Sequence, residues 1–153
     1  MSLAPFVASP TNVVTAMLHL AELKRDETLF DLGCGDGRII LEAAQKFGAK
    51  AVGVELNEER YRDCIRKIQE AHLEKRVEVI HGDLLQVDLH RANVITLYLL
   101  TSSNEKVKPN LERDLRKGAR VVSHDFHIAG WKPTKVQELK ENWGSHTLYL
   151  YTI

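Results

Sequence analysis

Apolar positions along the chain change period several times, and each change marks an element. Over residues 11–23 they fall at Val13, Val14, Met17, Leu18, Leu20 and Ala21, one face of a helix, with Pro10 just before it and Thr11 placed to cap it. Residues 28–32 form a short strand-like run, followed by a glycine-rich loop and a helix over 39–47 that stops near Gly48. Residues 51–54 predict a second strand ending in Glu55, and Asn57 can cap a helix that runs to about Leu73. Residues 77–80, 94–100 and 119–122 predict three more strands. Helical character returns from about Asn104, with Pro109 expected to break or restart it. Runs that are apolar at nearly every position belong to strands buried on both faces, as in a parallel sheet. The tail differs, because residues 135–139 and 147–152 flank Asn142-Trp143-Gly144, a turn signal between antiparallel neighbours. The expected fold is α/β: a Rossmann-like, doubly wound seven-strand sheet, mostly parallel, with a C-terminal antiparallel hairpin.

The loop after the first strand reads Asp31-Leu32-Gly33-Cys34-Gly35-Asp36-Gly37. A dinucleotide-binding fingerprint needs its third glycine at position 38, which is Arg38. The spacing is tighter, and the strand ends in an acid. Gly33, Gly35 and Gly37 let the backbone turn sharply and approach a ligand, and the helix beyond offers free N–H groups. S-adenosylmethionine (SAM) has no pyrophosphate to place there. It has an ammonium on its methionine tail, which Asp31 can hold directly or through water, so Asp31 and Asp36 join the glycines as cofactor candidates. Glu55, ending the second strand, can accept both ribose hydroxyls, since an ionised carboxylate has two acceptor oxygens. Asp83, after the third strand, can take the exocyclic amine of adenine, with the Leu84 amide offered to the ring. Each acid has a plain alternative: Glu55 as a solvated strand end, Asp83 as a turn residue. Three acids at successive strand ends on one edge of the sheet favour the cofactor.

Composition narrows the setting. The 153 residues are 44% hydrophobic and 27% charged, with zero formal net charge. That predicts one globular domain over 1–153 with no global field to draw nucleic acid or an anionic membrane. Arg60, Arg62, Arg66 and Lys67 would revive a nucleic-acid partner if clustered and free, but such charges usually mark a solvated helix face. Cys34 and Cys64 form no C-x-x-C pair, Cys34 reads as packing, and a reducing, cytoplasmic setting follows. No apolar run suits a membrane helix, and no secretory signal is visible. His19, His72, His81, His90 and His146 show no metal-ligand spacing, so no metal is expected.

These motifs resemble the class I SAM-dependent methyltransferases, and more narrowly the small archaeal protein-lysine methyltransferases and their eukaryotic relatives that modify mitochondrial proteins. The resemblance is carried by residues 5–11, 31–40 and 52–57, and more specifically by Leu97-Tyr98-Leu99-Leu100-Thr101-Ser102-Ser103-Asn104, residues 118–126, Gly130-Trp131 and the ending 146–151. It implies SAM as methyl donor and protein lysines as acceptors. It also implies that the N-terminal segment (residues 1–25, around Pro10 and Thr11) lies over the cofactor. Asn57, closing the segment 52–57, joins the cofactor candidates. Eukaryotic members carry an extra hydrophobic targeting segment that this chain lacks, so it looks like the soluble prokaryotic form.

In this fold Tyr98 to Asn104 lie next to the transferring methyl. There is no Asn/Asp-Pro-Pro-aromatic motif, which disfavours DNA and glutamine N-methylation, and no Pro-Cys nucleophile. Lysine methylation needs loss of one ammonium proton, which desolvation assists, and alignment, which positioning supplies. Tyr98, Thr101 and Asn104 are candidates to orient the amine, and His124 and Asp125 to steer a cation or accept a proton. Alternatives stand beside each: Tyr98 covering the cofactor, Thr101 capping a helix, Asp125 structural. Trp131 is a candidate for an acceptor channel or the core, and Trp143 for packing. With no separate substrate domain, the acceptor would meet a shallow, open mouth, which suits exposed protein lysines. The competing functions are an RNA or small-molecule SAM-dependent methyltransferase on the same fold, and a SAM-binding module without catalysis.

Overall fold

The computed structural model describes residues 9–141 and 144–153. The elements run α1 (Thr11–Leu20), β1 (Thr28–Leu32), α2 (Arg38–Phe47), β2 (Lys50–Glu55), α3 (Glu58–Glu70), β3 (Val77–His81), a 3₁₀ turn (Leu84–Gln86), β4 (Val94–Leu97), α4 (Thr101–Asp114), β5 (Arg120–His124), β6 (Lys135–Glu141) and β7 (Gly144–Thr152). Strands β3-β2-β1-β4-β5-β7-β6 make one seven-stranded sheet. The first five are parallel, while β7 pairs antiparallel with both β5 and β6. The expected doubly wound sheet with a terminal hairpin is therefore the fold observed. The turn at Asn142 and Trp143, and residues 5–8 of the N-terminal match, lie outside the described residues.

Strand periodicity sorts the core into two layers. Leu29, Ala51, Val94, Val122 and Leu150 point to the face packed by α1, α2 and α3. Their neighbours Phe30, Val52, Ile95, Val121 and Tyr151 point to the face packed by Val107 and Leu111 of α4. Both faces are covered, which is why these strands read as unbroken apolar runs. Trp131 packs on the second layer, its ring 5.6 Å from that of Tyr151, so the channel alternative gives way to packing.

Several boundaries differ from the sequence expectation. α1 and α3 stop at Leu20 and Glu70 rather than near Leu23 and Leu73. In both, a non-glycine residue turns left-handed, Glu22 (φ 52°) and His72 (φ 57°). The amides of Leu23 and Leu73 then reach back to the carbonyls of Leu18 and Ile68. This is a Schellman closure, whose apolar follower imitates one more helical position. Thr11 is the first residue of α1, and Pro10 occupies the cap position with no side-chain cap. Likewise Leu100, not Thr101, caps α4, which begins earlier than expected because β4 ends at Leu97. Pro109 neither breaks nor restarts α4: it is exposed, as is Glu105, the residue whose carbonyl it leaves without an amide donor.

Candidate active site

The parallel strands β3, β2, β1, β4 and β5 end on one edge, and the strand order reverses between β1 and β4. Ligands of open α/β sheets bind at such a reversal. Gly33, Gly35 and Gly37 all have positive φ (83°, 57° and 84°) as the chain leaves β1 and enters α2. The amides of Gly33 and Cys34 bond the Val54 carbonyl, tying the loop to β2. A Cβ on Gly37 would come 3.1 Å from the Cys64 sulfur, so the loop packs closely on α3. Cys34 and Cys64 are both buried and free. The Cys64 thiol donates to the Gly35 carbonyl, and a hydrogen bond from the Cys34 thiol to Cys64, together with burial, pushes the Cys34 thiol well up, which keeps it a packing group.

Asp31 is buried, and one of its oxygens accepts from the Thr96 hydroxyl at 2.9 Å. Burial pushes its carboxyl up to about 7, against the Thr96 bond, and the negative charges of Glu55 and Asp36 push the same way. A ligand ammonium would supply the counter-charge this carboxylate needs, so the site fits the methionine end of SAM. Glu55 is also buried, its oxygens accepting from the amides of Gly35 (2.8 Å) and Asn57 (2.9 Å). Arg60 approaches it at 3.5 Å. Each carboxylate oxygen keeps a second lone pair, so hydroxyl donors can still be received. Asn57 caps α3 by accepting from the Arg60 amide, and Asp83 caps the 3₁₀ turn by accepting from the Leu85 amide, with Leu84 as that turn's first residue. Both caps leave the side chains at the strand ends where the sequence placed them.

Arg38, which displaced the third glycine of a dinucleotide loop, has a structural task that the sequence did not reveal. Its guanidinium grips Asp36 through two nitrogens and donates to the Ser9 carbonyl at 2.9 Å. The same ion pair holds the Asp36 carboxyl below its usual range. Ser9, immediately before Pro10 and Thr11, is buried and also lies 2.9 Å from His124 Nδ1 through its hydroxyl. The chain entering α1 thus touches both the glycine loop and the end of β5.

On the far side of the strand reversal, Tyr98 is half-buried and stacks on His124 with centroids 3.9 Å apart. His124 is fully buried, and its Nε2 lies 2.8 Å from Nδ1 of His146. Burial pushes the His124 imidazole down to about 4, opposed by Asp125 and assisted by His146. Asp125 is left-handed (φ 64°), and its carboxylate accepts from the Thr147 amide. Thr101 is half-buried at the start of α4. Asn104 sits apart from this mouth: it is fully buried, and its amide donates to the carbonyls of Phe126 and His127. His146 was considered in the sequence only for metal spacing. Its signal was available in the matched ending, but its partner stands 22 residues earlier in the chain.

Two groups of ligand-type side chains occur among the described residues: His124, Asp125 and His146, and Asp88, His90 and Asp114. In each, members already bond to one another. The basic residues of α3 do not form a free patch: Arg62 pairs with Glu58, Arg66 with Asp63 and Glu70, and Lys67 with Asp63. At the opposite edge of the sheet, a cleft between α1 and β7 is lined by Glu22, Arg120 and Thr134. Arg120 is fully engaged there by Glu27 and the carbonyls of Ala21 and Glu22. No helix of the described residues is long and apolar enough to cross a membrane.

The profile of the ANTKMT methyltransferase domain matches residues 31–135, from the glycine loop to the start of β6. The chain belongs to this family. It is therefore a methyltransferase of the ANTKMT type. The protein-lysine N-methyltransferase of Saccharolobus islandicus (strain REY15A) is 45% identical over 150 residues, 97% of this chain and 93% of that protein. The adenine nucleotide translocase lysine N-methyltransferase of Mus musculus is 32% identical over 86% of this chain, which spans only 57% of the mouse protein. A crystal structure described as an RNA methyltransferase from Salinibacter ruber, in complex with S-adenosyl-L-homocysteine, superimposes with a TM-score of 0.91 at 40% identity, covering 96% of this chain and 94% of the other.

Proposed function

We propose that this ANTKMT-type methyltransferase uses SAM to methylate the side-chain amines of protein lysines. The observation that carries the reading is the near full-length 45% identity to a protein-lysine N-methyltransferase, joined to an edge that separates an acid-lined cofactor side from an aromatic acceptor side. SAM supplies an electrophilic methyl group when bound. Asp31 holds the ammonium of its methionine tail, the Gly33–Gly37 loop and Asp36 shape that end, Glu55 and Asn57 face the ribose, and Asp83 with Leu84 faces the adenine. The segment before α1, through Pro10 and Thr11, lies over the cofactor; its support is Ser9, held by Arg38 on one side and His124 on the other.

The acceptor amine arrives beside Tyr98, Thr101 and the end of β5. Desolvation there lowers the affinity of the ammonium for its proton, and the half-buried Tyr98 stays un-ionised because burial and the Asp125 charge push its hydroxyl up. Asp125 supplies a negative charge that steers a cation to this side. A cytoplasmic location belongs to the same reading, supported by two free thiols.

One observation favours a second reading: the solved structure at 40% identity is described as an RNA methyltransferase. Against it, Arg62, Arg66 and Lys67 of α3 are paired with acids, so that face offers little free positive charge for phosphates. The test is to incubate the pure protein with methyl-labelled SAM, a mixed protein extract and total RNA, then hydrolyse and separate the products. Label in methyl-lysine is expected. Label confined to nucleosides would replace the lysine reading with the RNA one, and SAM binding without transfer to either pool would leave a binding module.

A further inference from the structure

His124 cannot itself meet an acceptor. Both ring nitrogens are engaged, Nδ1 with the Ser9 hydroxyl (2.9 Å) and Nε2 with His146 Nδ1 (2.8 Å), and Tyr98 is stacked against the ring. What it can do is orient His146. That residue is only partly buried (22% side-chain exposure), and it stands on β7 just beyond the end of β5, on the acceptor edge. Asp125 completes the arrangement. One of its oxygens is fixed by the Thr147 amide, and the other lies 3.4 Å from His124 Nε2 and 3.5 Å from His146 Nδ1. The carboxylate therefore sits beside the hydrogen shared by the two rings.

We propose that His146 takes the proton from the acceptor ammonium, and that His124 and Asp125 are positioning residues that hold its ring. This rests on the protein-lysine reading above. A buried His124 is neutral and carries one N–H. With that hydrogen on Nδ1, it donates to Ser9 and leaves Nε2 to accept from His146 Nδ1–H. His146 then presents Nε2 as a lone pair. In the step, one N–H bond of the ammonium breaks and its electron pair stays on nitrogen. The proton forms a bond to His146 Nε2. The imidazolium charge is stabilised beside Asp125, and the proton then leaves to water. The logic is that of a histidine base oriented by a carboxylate.

On β6, Glu138 and Lys140 flank Leu139, the register partner of His146, and carry opposite signs; in a strand their side chains alternate with that of Leu139. Tyr98 faces the pair from the end of β4. The same three side chains are of metal-ligand type. A divalent cation there would repel the incoming ammonium, so the hydrogen-bonded arrangement suits the acceptor better.

Two measurements test this. Long-range ¹H–¹⁵N spectra of the imidazoles, recorded on the protein alone, should show hydrogen on Nδ1 and a bare Nε2 for both His124 and His146. Hydrogen on Nε2 of His146 would overturn the proposal. His146→Asn keeps a donor toward His124 but has no base. Its kcat on a protein acceptor should fall about 100-fold at pH 7, with KM and SAM affinity within about threefold of wild type. The defect should close toward pH 10, where free lysine deprotonates unaided. No loss, or an equal loss at every pH, would overturn it, as would a rate increase on adding Zn²⁺. If His146→Asn does not fold, Asp125→Asn serves instead, since Asn tolerates the left-handed backbone; it should show the same pH-dependent defect at about tenfold. Wild-type protein that labels no lysine refutes the functional reading instead, and the tautomer measurement still decides the histidine arrangement.

Discussion

The Thr96 hydroxyl donates a 2.9 Å hydrogen bond to Asp31 across the β1–β4 pair, at the point where the strand order reverses. Thr96 is fully buried, so this bond is the chief local support for an ionised Asp31, and burial works against it. The carboxyl is left near neutrality, poised to be decided by whichever cation arrives.

The pH dependence of cofactor binding follows from that balance. The ammonium of SAM favours the ionised carboxylate, so binding below about pH 7 releases a proton from Asp31. Affinity should rise between pH 6 and 8, by up to about tenfold per unit below the carboxyl's titration and levelling above it. Thr96→Val should move the rise to higher pH, and Asp31→Asn should flatten it and weaken binding throughout. Calorimetry in buffers of different ionisation enthalpy measures both the affinity and the released proton. A wild-type affinity independent of pH would refute the assignment of Asp31.

Stability without cofactor should show the opposite sense. The folded-state carboxyl is raised from 3.8 to about 7, so between these values the native chain binds more protons than the unfolded one. Stability contributed by this group is therefore intact below about pH 4 and declines as pH climbs toward 7. Asp31→Asn removes the penalty. It should melt several degrees higher than wild type at pH 8 and no higher at pH 4. Thermal unfolding at the two pH values checks the sign directly, and a mutant that is less stable at pH 8 would contradict it.

The strands were legible because both layers bury them, so Phe30 and Leu29 are equally apolar although they face opposite ways. The three acids could be picked out as candidates because they stand at or just past the ends of β1, β2 and β3. Helix ends were less legible. Glu22 and His72 close α1 and α3 in a left-handed conformation that usually announces itself as glycine, and here nothing in the residue type does. The pairings across the edge were not legible at all. Ser9 meets His124 over a separation of 115 residues, and His146 reaches it only because β7 turns back beside β5.

Gly53 shows how closely β2 backs the cofactor loop. A Cβ there would lie 2.6 Å from the Cys34 sulfur, 2.9 Å from Cys34 Cβ and 3.0 Å from Ile40 Cδ1. Gly53→Ala should destabilise by about 1–3 kcal/mol through overpacking, and should weaken SAM binding because Cys34 moves with the loop. Cys34→Ala should recover part of both losses by removing the sulfur. Urea unfolding of the single and double mutants forms the cycle; simple additivity would show that the two positions do not clash.

Glu55 has a double role that separates affinity from stability. Its oxygens fix the Gly35 and Asn57 amides before any ligand arrives. Glu55→Ala should lower SAM affinity about 10–100-fold, since a charge-assisted hydrogen bond contributes roughly 1.5–3 kcal/mol. It should also lower the melting temperature of the protein alone, because two amides at the loop lose their acceptor. Glu55→Gln keeps one acceptor oxygen and should recover more of the stability than of the affinity. Unchanged affinity in folded Glu55→Ala would remove the residue from the site.

Asn104 tests whether proximity in sequence to the acceptor stretch means contact with the acceptor. Its side chain is fully buried, and its amide bridges the carbonyls of Phe126 and His127, bracing the loop that follows Asp125. Its own oxygen has no hydrogen-bond partner, so truncation forfeits only the donor side. Asn104→Ala should therefore cost about 1–3 kcal/mol of stability, chiefly from the His127 carbonyl left without its donor, since the Phe126 carbonyl still accepts from the Ser123 hydroxyl. At a temperature where the mutant is folded, SAM affinity should stay within about threefold of wild type. Transfer rates should recover on cooling as the loop is restored. A mutant of unchanged stability whose turnover is abolished would instead return Asn104 to the acceptor itself.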